Sequence, residues 1–149
     1  RCVDRRDIRG AYRGARGVPL KVLDTDVCIE ILRGNQHVLE ARRQTQVRVA
    51  TTWITACELC FGAASSRAPD RNQALVGDLL ASLPILGLNL AASQHYGHQK
   101  ARLRQAGQAP ADADLLIAAI ALAHGAALVT GNRRHFERID GLRVEDWIR

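Results

Sequence analysis

Apolar runs and polar punctuation alternate along the chain from Val18 onward, and their periods switch between strand and helix. Residues 21–24 read as a short strand that stops at Asp24, with Asp26 just beyond. Thr25 stands where it caps a helix running to about Arg33, and Gly34 ends that helix. Residues 35–44 read as a second helix, with Val38, Leu39 and Ala41 as its apolar positions. Residues 47–51 are rich in β-branched side chains and read as a strand, and residues 55–64 as a helix. Pro69 opens a helix to about Leu83, with Leu75, Val76, Leu79, Leu80 and Leu83 on one face. After Pro84 come a small strand at 85–88 and a polar-faced helix at 91–105. Asp112 or Asp114 starts the nearly all-apolar helix LLIAAIALAHG, which Gly125 closes and which belongs at the centre of the molecule. A strand at 127–130, a short helix at 133–139 and a strand at 142–144 complete the pattern. Strands and helices alternating in this way predict a parallel-sheet α/β/α sandwich. Sites in such sheets gather beyond the carboxyl ends of the strands. Asp24 and the run Thr130-Gly131-Asn132 both fall there.

Residues 1–17 lack this periodicity and read as a flexible basic extension, so that one domain spans 18–149. The whole chain has a formal net charge of +6. Six arginines and two aspartates in the extension account for +4 of it. The domain itself is only mildly basic, a weak pointer to an anionic partner such as nucleic acid. Cys28, Cys57 and Cys60 sit in apolar stretches, which predicts reduced, packed thiols in a cytoplasmic protein. A zinc reading of Cys57-x-x-Cys60 needs two more ligands, and no second such pair is present. His95 and His98 read as part of a polar helix face. His37, His124 and His135 are scattered, which disfavours a histidine general base; His135 alone can approach the site, with surface packing or solvation as its simpler role. No apolar run has the length of a membrane span, and the arginine-rich start does not resemble a signal peptide.

The carboxylates carry the chemical signal. Asp24 and Asp26 follow a strand, Glu58 lies within the apolar stretch ITACELCFGAA, and Asp114 stands at the mouth of the most apolar helix. Helix capping explains any one of the aspartates, and Asp112 competes with Asp114 for its cap. Together they suggest a cluster. Two like charges about 4 Å apart repel by about 4 kcal/mol at an effective dielectric near 20. A fold keeps such a cluster when a cation or a proton offsets it. Oxygen donors alone select a hard cation, Mg²⁺ or Mn²⁺. An ion of that kind activates water and clamps phosphate oxygens.

The succession LDTDVCI, TACELCFGA and ADADLLIAAIALAHGAALVTGNRRHFERIDGLRVEDW resembles the PIN-domain nucleases, and most of all the VapC-type toxins of bacterial toxin–antitoxin pairs. The resemblance covers about residues 18–149 and is most specific from Asp112 to Trp147. It implies a PIN-like fold and a metal-dependent endoribonuclease that hydrolyses RNA with a metal-activated water. It also implies a homodimer held inactive by a cognate VapB-type antitoxin, whose arginine or lysine offsets the acidic cleft. It carries the family's acids onto Asp24, Glu58 and Asp114 as catalytic and metal-binding residues. Asp26 and Asp112 rank as supporting, and Thr130 and Asn132 fall where the family places a polar group that holds the metal or its water. The family often has a fourth acid in the loop that here offers Asn132, and frequently an acid where this chain has His135.

Two alternatives stand beside this reading. A strand ending in Asp-x-Asp is also the nucleophile motif of haloacid-dehalogenase-like phosphatases, which would make Asp24 the nucleophile. That family also needs a late pair of aspartates, and none follows Thr130 in a matching pattern. A non-catalytic binding module would use the same acids only to cap helices. Basic residues fall in local groups on helix faces, and Arg133 and Arg134 are the nearest to the suspected site and hence candidates for contacting RNA phosphates.

Overall fold

A computed structural model describes residues 19–108 and 110–149 of the chain. The basic extension expected at 1–17 lies outside the described residues. In chain order the elements are β1 (Leu20–Leu23), α1 (Thr25–Leu32), α2 (Gln36–Gln44), β2 (Arg48–Thr52), α3 (Trp53–Ala64) and α4 (Pro69–Ala81). They continue with β3 (Ile85–Leu86), α5 (Leu90–Gln105), α6 (Asp112–Ala123), β4 (Ala127–Val129), α7 (Arg133–Phe136) and β5 (Val144–Glu145). The five strands form one sheet in the order β3-β2-β1-β4-β5, and every pairing is parallel.

Alternation along the central strands explains the two layers of helices. Val22 of β1 and Leu128 of β4 face a core shared with Leu103 of α5, Leu115, Ile117, Ala118 and Ala121 of α6, and Phe136 of α7. Their neighbours Leu23 and Val129 face the opposite core, with Val27 and Cys28 of α1, Val38 of α2, Leu59 of α3 and Val76 of α4. Both faces of the sheet are covered, so the central strands are largely apolar or β-branched. Helix α6 is apolar all round because it is packed all round: Leu115 and residues 117 to 121 are buried.

Several boundaries differ from the sequence expectation, and each difference has a local cause. Helix α1 is capped by Asp24 rather than Thr25, the Asp24 side chain accepting the Thr25 N–H. Helix α3 begins at Trp53, because the Thr52 hydroxyl accepts the Thr55 N–H at 3.1 Å and caps it there. Helix α4 stops at Ala81: the Ser82 hydroxyl takes the Leu79 carbonyl at 2.7 Å, and Leu83 packs into the core from outside the helix. Leu75, expected on the buried face of α4, is 41% exposed. Strand β3 is only two residues long, α7 ends at Phe136, and β5 sits at Val144–Glu145 rather than 142–144. Short edge strands of this kind carry too few side chains for their ends to be read from a pattern.

The thiols need a correction. Cys28 is buried as expected, but Cys57 and Cys60 are exposed and free. They share the outward side of α3 with Trp53 and Phe61, which are also exposed. The apolar composition of α3 therefore overstated how much of the helix enters the core.

This packing makes a measurable contrast. Ile117→Ala removes a fully buried side chain from the α6 core and is expected to cost about 2–5 kcal/mol in urea unfolding. Leu75→Ala, at a position 41% exposed, is expected to cost less than about 1 kcal/mol.

Candidate active site

The sheet register brings the site together. Leu23 of β1 pairs with Val129 of β4, so the next residues, Asp24 and Thr130, leave the sheet side by side. The Asp24 N–H donates to the Val129 carbonyl at 2.9 Å, and the Thr130 N–H to the Glu145 carbonyl at 2.9 Å. The Thr130 hydroxyl donates to Asp24 Oδ2 at 2.8 Å and lies 3.4 Å from each carboxylate oxygen of Asp26. With a single proton, its main bond goes to Asp24. The Gly131 N–H donates to Asp26 Oδ2 at 2.8 Å, and the Asn132 N–H to the Thr130 hydroxyl at 3.0 Å. The turn after β4 thus clamps both aspartates that follow β1. Space is tight at its glycine: a Cβ on Gly131 would lie 2.7 Å from Ile148 Cδ1 and 3.1 Å from Asp26 Oδ2, so a larger residue would displace the Ile148 side chain.

Burial and like charge raise the proton affinity of the pair. Asp24 is 6% exposed. Its pKa is raised from 3.8 to about 6, chiefly because burial disfavours the charged form; the nearby carboxylates of Asp26 and Asp114 add to the rise, while Thr130 and the Thr25 N–H oppose it. The pKa of Asp26 is raised too, by burial first and also by Asp146, against the hydrogen bonds from Gly131, Val27 and Thr130.

Two further acids approach from the helices. Asp114, in the first turn of α6, does not cap its helix; Ala111 occupies the cap position and no side chain caps it. Asp114 Oδ2 instead lies 2.9 Å from His135 Nδ1, and Asn132 Nδ2 lies 2.7 Å from the same nitrogen. When Nδ1 carries a proton it donates to Asp114; when it carries a lone pair it accepts from Asn132. His135 is exposed, as expected, and also meets the site's edge through Asp114. Glu58 arrives from α3 on the other side and receives a short hydrogen bond from the Thr25 hydroxyl, which also contacts Thr55 Oγ1 at 3.2 Å. Glu58 also lines a cavity of about 330 Å³ between α1, α3 and α4.

The remaining expected residues divide. Asp112 also fails to cap α6; its Oδ1 accepts from Tyr96 at 2.9 Å and Lys100 at 2.8 Å, which ties it to α5. It makes none of the contacts that join Asp24, Asp26 and Thr130. Arg133 and Arg134 are exposed at the start of α7, with Arg133 Nε 3.6 Å from Glu137. Thr25, Thr55 and Asp146 were not foreseen. Asp146 follows β5 directly, so the strand-end rule that singled out Asp24 also applies to it. Thr25 and Thr55 carried no signal, because threonine near a helix start reads as a cap. Among the described residues, no three His, Cys, Asp or Glu side chains converge into a ready-made metal cage. The carboxylate oxygens are instead engaged by hydroxyl, backbone and imidazole groups.

The PIN domain family model matches residues 21–142. This chain is a PIN domain. Within that family it resembles the VapC group. It is 37% identical over 127 residues to the tRNA(fMet)-specific endonuclease VapC of Salmonella typhimurium, an alignment spanning 85% of this chain and 96% of the relative. It is 35% identical over 128 residues to ribonuclease VapC2 of Haemophilus influenzae, over 85% of this chain and 97% of the relative. Among solved structures, DNA-bound VapBC from Salmonella typhimurium superposes with a TM-score of 0.81 at 36% identity, covering 88% of this chain and 99% of that one. VapBC2 from Rickettsia felis, bound to a DNA fragment from its promoter, gives a TM-score of 0.81 at 28% identity, over 86% and 98% of the two chains.

The haloacid-dehalogenase reading is thereby overturned, because the family is a different one. Asp24, Asp26, Glu58 and Asp114 offer only oxygens, the donor type that a hard divalent cation takes.

The raised pKa of Asp24 makes stability depend on pH in a stated direction. The folded state holds the Asp24 proton more tightly than the unfolded state, so protonation favours folding. In metal-free buffer this contribution is present below about pH 4 and is lost as pH rises through about 6. A displacement from 3.8 to about 6 corresponds to roughly 3 kcal/mol. Asp24→Asn keeps a capping side chain and removes the charge. It is expected to be more stable than the parent at pH 7.5, and to lose less stability between pH 4 and pH 7.5 in urea titrations. A variant less stable than the parent at pH 7.5 would show that Asp24 serves chiefly as a cap.

Proposed function

We propose that this PIN domain is an endoribonuclease, the toxin of a VapBC-type pair, which hydrolyses RNA phosphodiester bonds with a divalent cation. The observation that carries the proposal is the buried carboxylate of Asp24, held by Thr130 and with its pKa raised by the nearby charges of Asp26 and Asp114, in a chain 35–37% identical to named VapC ribonucleases. Asp24, Glu58 and Asp114 would hold the ion, Mg²⁺ or Mn²⁺, with Asp26 in support. When bound, it supplies a Lewis acid that lowers the pKa of water and offsets phosphate charge.

The chain's own groups do the rest. Thr130 fixes the orientation of Asp24, and Gly131 that of Asp26, so their lone pairs are aimed before substrate arrives. Asn132 presents a neutral amide at the rim beside His135. One of the carboxylates accepts the proton of the attacking water. Arg133 and Arg134, exposed at the start of α7, hold RNA phosphates next to the acids. Few aromatic side chains are present, so grip comes from charge more than from base stacking.

The partners follow from the same surfaces. A VapB-type antitoxin would block the site by laying an arginine or lysine against the acids, a charge-assisted contact that takes the place of the cation. The exposed Trp53 and Phe61 of α3 offer apolar surface for a second copy of the chain. Among the described residues no helix is long and apolar enough to cross a membrane. A cytoplasmic location agrees with the free thiols of Cys28, Cys57 and Cys60.

The test is RNA cleavage by the purified chain with and without Mg²⁺ or Mn²⁺, with tRNA as the first substrate. Cleavage is expected only with the metal. Asp24→Asn and Asp114→Asn are each expected to lower its rate by roughly two orders of magnitude or more, and Asp26→Asn to lower it less. Full metal-dependent cleavage by both Asp24→Asn and Asp114→Asn would overturn the site assignment.

A further inference from the structure

We infer that the outward side of α3 is the seam of a homodimer and that Cys57 and Cys60 are an oxidisable pair within it, Cys57 of one protomer forming a disulfide with Cys60 of the partner subunit. The inference rests on the reading above that Trp53 and Phe61 receive a second copy of the chain. At about 100° per residue, Trp53, Cys57, Cys60, Phe61 and Ala64 fall on one side of the helix, and all five are exposed. The one charged side chain of α3, Glu58, turns from that side toward Thr25. A solvent-facing helix side with no charge, and no polar group but two thiols, departs from the pattern of a solvated surface helix. The apolar surface continues beyond α3. Thr52 pairs with Leu86, so Trp53 and Gly87 leave the sheet side by side, and Leu88 and Leu90 follow. Trp53, Phe61, Leu88 and Leu90 are 56%, 74%, 52% and 62% exposed. An aromatic side chain carries about 150–250 Å², so the two aromatics alone present roughly 250 Å² of apolar surface. With the leucines the patch approaches the roughly 500 Å² of non-polar area that each partner gives to an interface of standard size.

The stripe is complementary to itself. Trp53 and Ala64 share their sequence midpoint with Cys57 and Cys60. Two α3 helices packed antiparallel about a two-fold axis through that midpoint set Trp53 against Ala64, large against small, and each Cys57 against the partner's Cys60. No charge lies on the stripe to oppose two copies of a chain whose net charge is +6. Axes of packed helices are about 8–10 Å apart and Cα atoms lie about 2.3 Å from each axis, so facing Cα atoms come within about 4–6 Å. A disulfide spans about 4.4–6.8 Å between Cα atoms. Within one helix the bond is disfavoured, because residues three apart hold their Cβ atoms about 5–6 Å apart and a disulfide requires about 3.5–4.5 Å. The oxidant is a low-molecular-weight disulfide. Cys57 is exposed on the free chain. Its sulfur loses its proton and attacks one sulfur of that disulfide, whose S–S bond breaks to release one small thiol. The partner's Cys60 then loses its proton, attacks Cys57 Sγ in the mixed disulfide and displaces the second small thiol. The departing thiolates take up the protons, so two protein thiols are oxidised as one small disulfide is reduced. In a reducing compartment such a bond is transient, which suits a redox-responsive contact.

The test uses the full chain, ¹⁵N-labelled and unlabelled copies being mixed while reduced. Sedimentation velocity in dithiothreitol reads the reduced state. Non-reducing gel electrophoresis with peptide mass mapping reads the state after oxidised glutathione is added. The reduced chain is expected to be a dimer. The oxidised chain is expected to be a covalent dimer that dithiothreitol reverses, with Cys57 and Cys60 peptides joined between labelled and unlabelled copies. Cys57→Ser and Cys60→Ser, at exposed positions, are each expected to lower the yield of covalent dimer about tenfold or more. Trp53→Lys is expected to shift the reduced chain to monomer and to lower that yield likewise. If the reduced chain dimerises but the two cysteines stay unjoined, join only within one copy or join only to glutathione, this inference fails while dimerisation stands. The same holds if Trp53→Lys leaves the dimer intact. If the reduced chain is monomeric at every concentration, the second-copy reading fails together with this inference.

Discussion

The hydrogen bond from Thr130 to Asp24 joins residues 106 positions apart in the chain and is the contact on which the site depends. It forms because β1 and β4 are adjacent parallel strands whose last paired residues are Leu23 and Val129. A one-residue slip of that register would move Leu23 and Val129 to the wrong face of the sheet and part the two side chains as well. Core and site are therefore fixed by one geometric condition. The packing of Leu23 against α1 to α4, and of Val22 against α5 to α7, selects the register in which Asp24 meets Thr130.

That arrangement works against stability in part. Burial, Asp26 and Asp114 all disfavour the charge on Asp24. The fold tolerates it because hydrogen bonds oppose the shift from both ends of the chain: Thr130 and the Thr25 N–H for Asp24, and for Asp26 the Gly131 and Val27 N–H groups. The two aspartates at the start of α6 contribute in another way. Neither caps the helix, yet a carboxylate in a first turn still interacts favourably with the helix dipole. Asp114 is stabilised by its position without using its oxygens on backbone N–H groups. This leaves Oδ2 for His135, and in the proposed function for a cation.

Much of this was legible in the chain, for identifiable reasons. Buried parallel strands are apolar runs, so β1, β2 and β4 stood out, and α6 was recognisable as a central helix because it is apolar on all sides. The strand-end rule located Asp24 and Thr130 before any contact was known. What escaped was information carried by the partner rather than the residue. Cys57 and Cys60 look like core residues in a list of neighbours, and only the outward turn of α3 shows that they are exposed. His135 could be read as able to approach the site, but its partner Asp114 is visible only once α7 is in place. Asp112 and Asp114 are two residues apart on a helix, so at about 100° per residue they point in directions roughly 160° apart. Sequence could list both but not say which one turns toward Lys100 and which toward the site.

The same separation explains how the site remains usable after folding. On the face of α6 that Asp112 occupies, the acid is paired with Lys100 and Tyr96, so its charge is offset within the scaffold. On the other face, among the described residues, the Asp114 side chain pairs with a histidine. The scaffold thus closes one acid into an ion pair with a lysine and leaves its neighbour beside the buried pair that follows β1, without an equivalent lysine or arginine contact among the described residues. Local negative charge remains for an external cation to offset, whether a metal ion or a basic side chain of a partner. In the proposed function, catalysis and inhibition would compete for the same deficit, because whatever supplies positive charge there also relieves the repulsion on Asp24.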